Sequence, residues 1–497
     1  MNPRALSEWL QQWFRRKSGE PAYRQLYRLL RQGILEGHVR AGTRLPASRE
    51  LAGDLAISRN TVLQAYEQLA EEGYVSAAVG RGTFVEDISH DLPVEAAPVG
   101  AGSEVDPTVG ESRNLSKRGE RLMASLGYSE RQHGAFMAGV PDVTEFPVQQ
   151  WLRIHNRHWR KLRPELLSYA PSGGYPPLRQ ALSDYLRASR SVNGDAGQVL
   201  VTSGIHQALD IVTRLLCDPG DRVWVEDPAY WGIRNILLSH GLDVVGIPVD
   251  SEGMNPTNEQ MRQPPRLIVV TPSHQYPLGV VMSLARRRRI LEYARQHNCW
   301  VLEDDYDSDF RYGARPLPSL QGLDEAALVI YAGSFSKTLY PGLRLGYAVA
   351  PTSVAQALAS GLADLFREGQ LMTQAVMAEF LREGFVSSHM RRMRSLYAAR
   401  RDRLIVAVQA HYGSRFKVVG DKAGLHLVLA LPDHVDDVRI CREAYLRGLM
   451  ARPLSMYYLQ PERAKKGLVL GYACVREEEI GPAFALLAGV IDTELNA

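Results

Sequence analysis

Cysteine is scarce in this chain: Cys217, Cys299, Cys441 and Cys474 are the only four in 497 residues, and no two form a Cys-x-x-Cys pair. That scatter argues against a zinc ribbon or a disulfide framework and fits a reducing compartment. Long apolar runs are also missing, and none approaches the length of a bilayer span. The N-terminal stretch from Leu6 to Phe14 is amphipathic and lacks the continuous apolar core of a signal peptide. These absences predict a soluble, cytoplasmic protein. Charge of one sign is nearly absent too: the net charge is +3, too small to imply a partner for the whole molecule. One segment lacks basic residues altogether. Residues 87–112 hold six acidic residues and no Lys or Arg. With its Pro, Gly and Ala and no apolar periodicity, the stretch 87–116 is expected to be a flexible linker.

The length leaves room for two or three domains. Before the linker, residues 1–86 carry twelve basic and nine acidic residues. Tyr23, Leu26, Leu30, Ile34 and Leu35 recur at helical spacing. After the break at 42–46, Ser48 is placed as the N-cap of a helix from Arg49 to Leu55. Ser58 is placed as the N-cap of a second, whose buried stripe is Val62, Ala65, Tyr66 and Leu69. Tyr74-Val75 and Thr83-Phe84-Val85 flank Gly80-Arg81-Gly82, which reads as a β-hairpin with a glycine-rich tip. Two short helices and a hairpin suit a winged helix-turn-helix, with the second helix in the major groove and the hairpin on phosphate or the minor groove. Arg59, Asn60, Thr61 and Gln64 lie where base edges and phosphates would be met, Arg49 opens the preceding helix, and Arg81 sits at the wing tip. A helical oligomerisation domain with a solvated charged face is the competing reading; it leaves the hairpin unexplained.

From about residue 117 the pattern changes. Apolar strands at 199–201, 222–225, 244–247, 267–270, 300–302, 328–331 and 346–349 alternate with helical stretches, predicting an α/β domain with a mostly parallel sheet. From about residue 355, a long helical stretch and strands at 425–430 and 467–471 suggest a smaller C-terminal α+β subdomain. The strand ending at Tyr331 feeds into Ser334-Phe335-Ser336-Lys337-Thr338, with Arg344 seven positions after the lysine. Hydroxyls and an arginine able to hold a phosphate are what a Schiff-base lysine requires around it. Thr202-Ser203-Gly204-Ile205-His206 leaves a strand and opens a helix, a ready anion site. Glu303-Asp304-Asp305-Tyr306-Asp307 follows another strand at the edge where open α/β folds bind ligands.

Three pieces in order closely resemble the GntR family of bacterial regulators over about residues 22–86: Leu45-Pro46-Ala47-Ser48-Arg49-Glu50-Leu51-Ala52, Ile57-Ser58-Arg59-Asn60-Thr61-Val62, and Gly80 to Val85. Leu63 departs from the arginine many members carry. The segment 334–346 resembles the lysine segment of fold-type I aminotransferases, which use pyridoxal 5'-phosphate (PLP). That resemblance implies PLP on Lys337, Asp304 on the pyridine nitrogen, Tyr306 on the ring oxygen and Tyr230 over the ring face. Gly204, Ile205, His206, Ser334 and Arg344 would form the phosphate cup. The loop Thr271-Pro272-Ser273-His274-Gln275-Tyr276-Pro277-Leu278-Gly279 stands where the family has Asn-Pro-Thr-Gly, and His274 or Gln275 is the expected substitute for the asparagine. The strand 467–471 lacks the arginine that grips a substrate carboxylate; Arg234 and Arg452 are the replacements considered.

Together the halves resemble the MocR subfamily of GntR regulators. This implies a head that reads double-stranded promoter DNA with repeated half-sites, and a domain that senses PLP or an amino compound joined to it as an aldimine. It also implies a homodimer, with the linker permitting a head-to-tail arrangement. An active aminotransferase with an appended DNA-binding domain, and a regulator that holds PLP only structurally, are the alternatives. With the loop asparagine and the strand arginine both missing, little or no sustained transamination is expected. No metal is expected.

Overall fold

The computed structural model describes residues 3–15, 20–78, 82–87, 115–124, 134–312, 318–367 and 370–496. It divides into two compact units, 1–114 and 115–497. The linker expected over 87–116 lies almost wholly outside the described residues, as does the wing tip with Gly80 and Arg81.

The first unit begins with helix α1 (Pro3–Trp13), followed by α2 (Ala22–Leu35), α3 (Ser48–Leu55) and α4 (Arg59–Glu71). Strands β1 (Val75–Ala78) and β2 (Gly82–Val85) pair antiparallel with Val75 opposite Val85 and Ala78 opposite Gly82. Leu6, Leu10, Leu26, Leu30, Leu51, Val62, Leu69, Val75 and Val85 close one core. Burying each such side chain contributes about 1.5–3 kcal/mol. Leu6 and Leu10 are fully buried, so the amphipathic N-terminus is a structural helix of this unit. Ser58 caps α4, accepting from the Thr61 backbone N–H. Ser48 does not cap α3: the N-cap position is Ala47, which has no side-chain bond, and Ser48 is the first helical residue. Its hydroxyl instead accepts from Arg59 Nε at 3.3 Å.

The second unit contains an eight-stranded sheet. In chain order its strands are β3 (Val199–Thr202), β4 (Arg222–Asp227), β5 (Asp243–Asp250), β6 (Gly253–Met254), β7 (Leu267–Val270), β8 (Trp300–Asp305), β9 (Val329–Ser334) and β10 (Gly346–Val349). They lie in the order β3-β10-β9-β8-β7-β4-β5-β6. The pairs β9/β8, β8/β7, β7/β4 and β4/β5 are parallel; β10 runs against both its neighbours, and β6 against β5. Strands β3, β7, β8 and β9 are buried almost throughout, as expected of a sheet covered on both faces. The chain is therefore a mixed α/β protein with a mostly parallel sheet. The C-terminal part adds β11 (Val418–Val419), β12 (His426–Ala430), β13 (Arg452–Pro453) and β14 (Gly467–Gly471), an antiparallel sheet ordered β11-β12-β14-β13. The long helix Phe385–Tyr412 and the final helix Glu477–Leu495 belong to the same part. No helix among the described residues is long and apolar enough to cross a membrane.

Candidate cofactor site and nucleic-acid interface

Parallel strands end at one edge of their sheet, and the polar residues gather there because each strand delivers its loop to the same place. Lys337 follows β9, Gly204 follows β3, Tyr230 follows β4, His274 follows β7, and Tyr306 and Asp307 follow β8. Two strands run further than their apolar cores suggest. Glu226 and Asp227 belong to β4, and Glu303, Asp304 and Asp305 belong to β8. Alternation along β8 then separates the three acids. Glu303 accepts from the backbone N–H groups of Leu320 and Gln321 at 3.0 Å each. Asp305 accepts from Arg190 Nε at 2.7 Å and from the Tyr331 hydroxyl at 2.6 Å. Asp304 has neither kind of support: its Oδ1 is buried without a hydrogen-bond partner among the described residues. Burial, with the like charges of Asp305 and Asp307 behind it, raises its carboxyl to about 8.

Lys337 Nζ donates to the Gly139 carbonyl at 2.6 Å. Burial lowers the pKa of this amine, while Asp307 and Asp304 work in the opposite direction. Gly204 adopts φ +132°, and a side chain there would meet nothing within 4 Å. It heads the helix Ile205–Leu216 without a side-chain cap, so no capping side chain takes the first N–H groups of the helix. The backbone conformation, rather than crowding, demands glycine. His206 stacks on Tyr230 with ring centroids 5.6 Å apart. Burial, then the charges of Arg344 and Lys337, hold the imidazole pKa down. Arg344 is exposed and left-handed. Ser334 Oγ accepts from the Ser336 backbone N–H at 3.1 Å.

An unpartnered buried carboxylate oxygen, an uncapped helix start and a half-buried lysine are the features a phosphorylated pyridine aldehyde needs, and these residues fit PLP. Asp304, Tyr306, Lys337, Tyr230, Ser334, Arg344 and the 204–206 turn are the groups that would hold it.

The loop of 271–279 is anchored from below. Buried Glu226 accepts from the Thr271 hydroxyl, and from its N–H at 3.2 Å. Gln275 Nε2 is 3.4 Å from Glu226 Oε2 and donates to the Pro228 carbonyl at 2.8 Å. Gln275 is thus spent on the loop. His274, by contrast, lies 3.0 Å from the Tyr306 hydroxyl and 3.0 Å from Asp307 Oδ2. Of the two substitutes for the asparagine, His274 is the one beside Tyr306. Glu226, Asp307 and His426 were not assigned roles from sequence. Asp307 stood within the acidic run, but nothing marked His426, a buried imidazole opening β12 whose ring lies 5.1 Å from that of His274.

The two arginines separate. Arg452 stands on β13 directly opposite Val469 of β14, one strand away from where the missing arginine was sought. Its charge acts on Tyr230, Tyr276 and Tyr457. Arg234 lies on the helix Trp231–Ser239; burial lowers its pKa, and Asp227 is the charge facing it.

On the first unit, Arg49, Arg59 and Asn60 are exposed. Thr61 is partly turned into the cap, its hydroxyl 2.8 Å from Ser58 Oγ. Arg81 lies outside the described residues.

Comparison with known proteins agrees with both units. Residues 22–85 match the family of bacterial regulatory proteins, gntR family, and residues 136–476 match aminotransferase class I and II. The probable rhizopine catabolism regulatory protein MocR of Rhizobium meliloti is 38% identical over 459 residues, 92% of this chain and 91% of that protein. The HTH-type pyridoxine biosynthesis transcriptional regulator PdxR of Corynebacterium glutamicum is 31% identical over 92% of each chain. A crystal structure of Pyrococcus horikoshii kynurenine aminotransferase in complex with PMP superposes with a TM-score of 0.69 at 26% identity, covering 78% of this chain and 96% of that one.

Proposed function

This chain belongs to the MocR subfamily of GntR-family transcriptional regulators, and from that premise we propose that its second unit carries PLP on Lys337 and reports to the DNA-binding head. The signal is PLP itself or an amino compound that reacts with it. The observation that carries this reading is the convergence of Lys337, unpartnered Asp304 and the uncapped turn at Gly204 on one sheet edge, in a chain that begins with a GntR reader. The name of the pyridoxine-related relative favours a pyridoxine-derived compound as one signal.

When bound, PLP supplies an aldehyde carbon for an amine and a ring that withdraws electrons. The protein's own groups have separate tasks. Lys337, its pKa lowered by burial, offers a larger share of unprotonated amine than a surface lysine would. Asp304 gives a buried carboxylate to a ring N–H. The 204–206 turn, Ser334 and Arg344 face a phosphate. Tyr230, backed by His206, covers one ring face. Arg452, among Tyr230, Tyr276 and Tyr457, is the cation placed for an effector carboxylate, and Arg234 is set aside because its nearest charge is Asp227.

Sensing requires only that a ligand favour one conformation over another. Sustained turnover requires the substrate to be gripped in one geometry. No arginine stands on β14 and no asparagine in the 271–279 loop, which favours a sensor over an efficient enzyme. Borohydride reduction and peptide mapping should place the cofactor on Lys337; attachment to another lysine would overturn that assignment. Keto-acid production measured with amino-acid panels should stay below a few turnovers per site. Sustained turnover at aminotransferase rates would favour an enzyme with a DNA-binding anchor.

A further inference from the structure

We propose that Asp307 and His274 are a positioning pair for Tyr306: they keep its oxygen accepting from His274, so that its own proton points to the ring oxygen of bound PLP. The inference deepens the PLP reading and rests on it.

His274 Nδ1 lies 3.0 and 3.1 Å from the two oxygens of Asp307. An ionised carboxylate only accepts, so the proton of this imidazole belongs on Nδ1. The same Nδ1 is 3.0 Å from the Tyr306 oxygen. One N–H is therefore shared between carboxylate and phenol, and the phenol accepts. A phenol oxygen that accepts keeps its own proton to give. The other tautomer would place an N–H on Nε2, which is buried with no partner among the described residues. Burying an unsatisfied donor is costly, so the neighbourhood itself disfavours that tautomer.

The ring is also held in place. A side chain at Gly424 would lie 2.0 Å from His274 Cε1 and 2.6 Å from Asp307 Oδ2, and one at Gly279 would lie 3.0 Å from Nε2. Two backbone segments thus press on the imidazole. The other titratable groups facing Tyr306 or the pair include Asp304, Asp305, Glu226, Tyr276, Tyr312, Tyr472, Lys337 and His426. His426 donates from Nε2 to the Pro277 carbonyl at 2.9 Å. Burial holds its pKa at about 3, so it adds no charge beside the pair. Where the asparagine of the related loop is missing, this chain supplies a carboxylate, an imidazole and a phenol in sequence.

The test uses the full-length, PLP-loaded protein and the pH midpoint of its visible absorbance. A Tyr306 proton on the ring oxygen favours the ionised ring oxygen. Removing that donor with Tyr306→Phe should raise the midpoint by about one pH unit, a tenfold change in proton affinity. Asp307→Asn should raise it more in the parent than in Tyr306→Phe, because Nδ1 is no longer held protonated, while loss of the Asp307 charge that acts on Lys337 lowers it equally in both backgrounds. The double variant should show no more shift than Tyr306→Phe alone, since both act through one hydroxyl. Equal Asp307→Asn shifts in the parent and in Tyr306→Phe would overturn the pair. Nitrogen-15 histidine spectra of the PLP-free protein, with the signal assigned through His274→Gln, provide a second readout. They should show His274 protonated at Nδ1 in the parent and at Nε2 in Asp307→Asn. An Nε2 proton in the parent would sink the proposal. Failure of the parent to take up PLP would instead sink the PLP reading, and the nitrogen spectra would still decide the pair.

Discussion

Replacing Asp304 with asparagine removes a buried carboxyl whose Oδ1 has no hydrogen-bond partner among the described residues. Burial lifts this carboxyl from 3.8 to about 8. At about 1.4 kcal/mol per unit, ionising Asp304 without a cationic partner costs on the order of 5 kcal/mol. The sign follows from proton binding. Between roughly pH 4 and pH 8 the folded protein keeps a proton that the unfolded chain has released. Stability from this group is fully present below about pH 4 and falls as pH rises toward 8. Asparagine cannot ionise, so the variant should lose none of it. Glu303, raised to about 7 by burial, titrates in parent and variant alike and cancels in the difference; Glu226 and Lys337 interact with Asp304, and that interaction is part of what the variant removes. Calorimetric unfolding of the PLP-free proteins from pH 5 to 9 is the assay. The parent should lose several degrees of Tm relative to Asp304→Asn across that range. Adding PLP should raise the parent's Tm more than the variant's, because a ring N–H gives the carboxylate its missing partner. Parallel Tm curves for the two proteins at all pH values would refute the reasoning.

Arg49→Ala with Arg59→Ala should weaken binding to all duplex sequences and flatten the log–log salt dependence by about two; undiminished binding in filter or fluorescence assays would contradict the assigned DNA face. Arg452→Ala should lower the response to amino acids by about tenfold or more while sparing simple amines that lack a carboxylate. Arg234→Ala should leave both responses unchanged, as spectral titrations would show. Light scattering at micromolar concentration should give a homodimer through the second unit, and the operator should contain two half-sites. A clean monomer would contradict the dimer.

The features most legible in the sequence were those set by local chemistry. Strand periodicity located the sheet because buried parallel strands read as continuous apolar runs. Ser58 was recognisable as a cap because its hydroxyl meets an N–H three residues on. Ser48 looked the same, but its hydroxyl is taken by Arg59, eleven residues away. The end of β8 was read three residues too early, at Leu302 instead of Asp305. Three consecutive acids look solvated until Arg190, 115 residues distant, is known to face Asp305. The choice between His274 and Gln275 was equally hidden, because Gln275 is claimed by Glu226 and Pro228, nearly fifty residues upstream. Arg452 could be named only as a replacement, since cross-strand register placed it opposite Val469.

The central claim is that chemistry at Lys337 governs the head. Its most direct test is to titrate PLP, then an amino-compound panel, into a complex of the full-length protein with its promoter DNA, beside Lys337→Ala. The account predicts that PLP or an amino compound shifts the DNA affinity of the parent several-fold and leaves Lys337→Ala unresponsive, with its affinity for DNA otherwise intact. DNA affinity in the parent that ignores every such compound, or an equal response from Lys337→Ala, would contradict it.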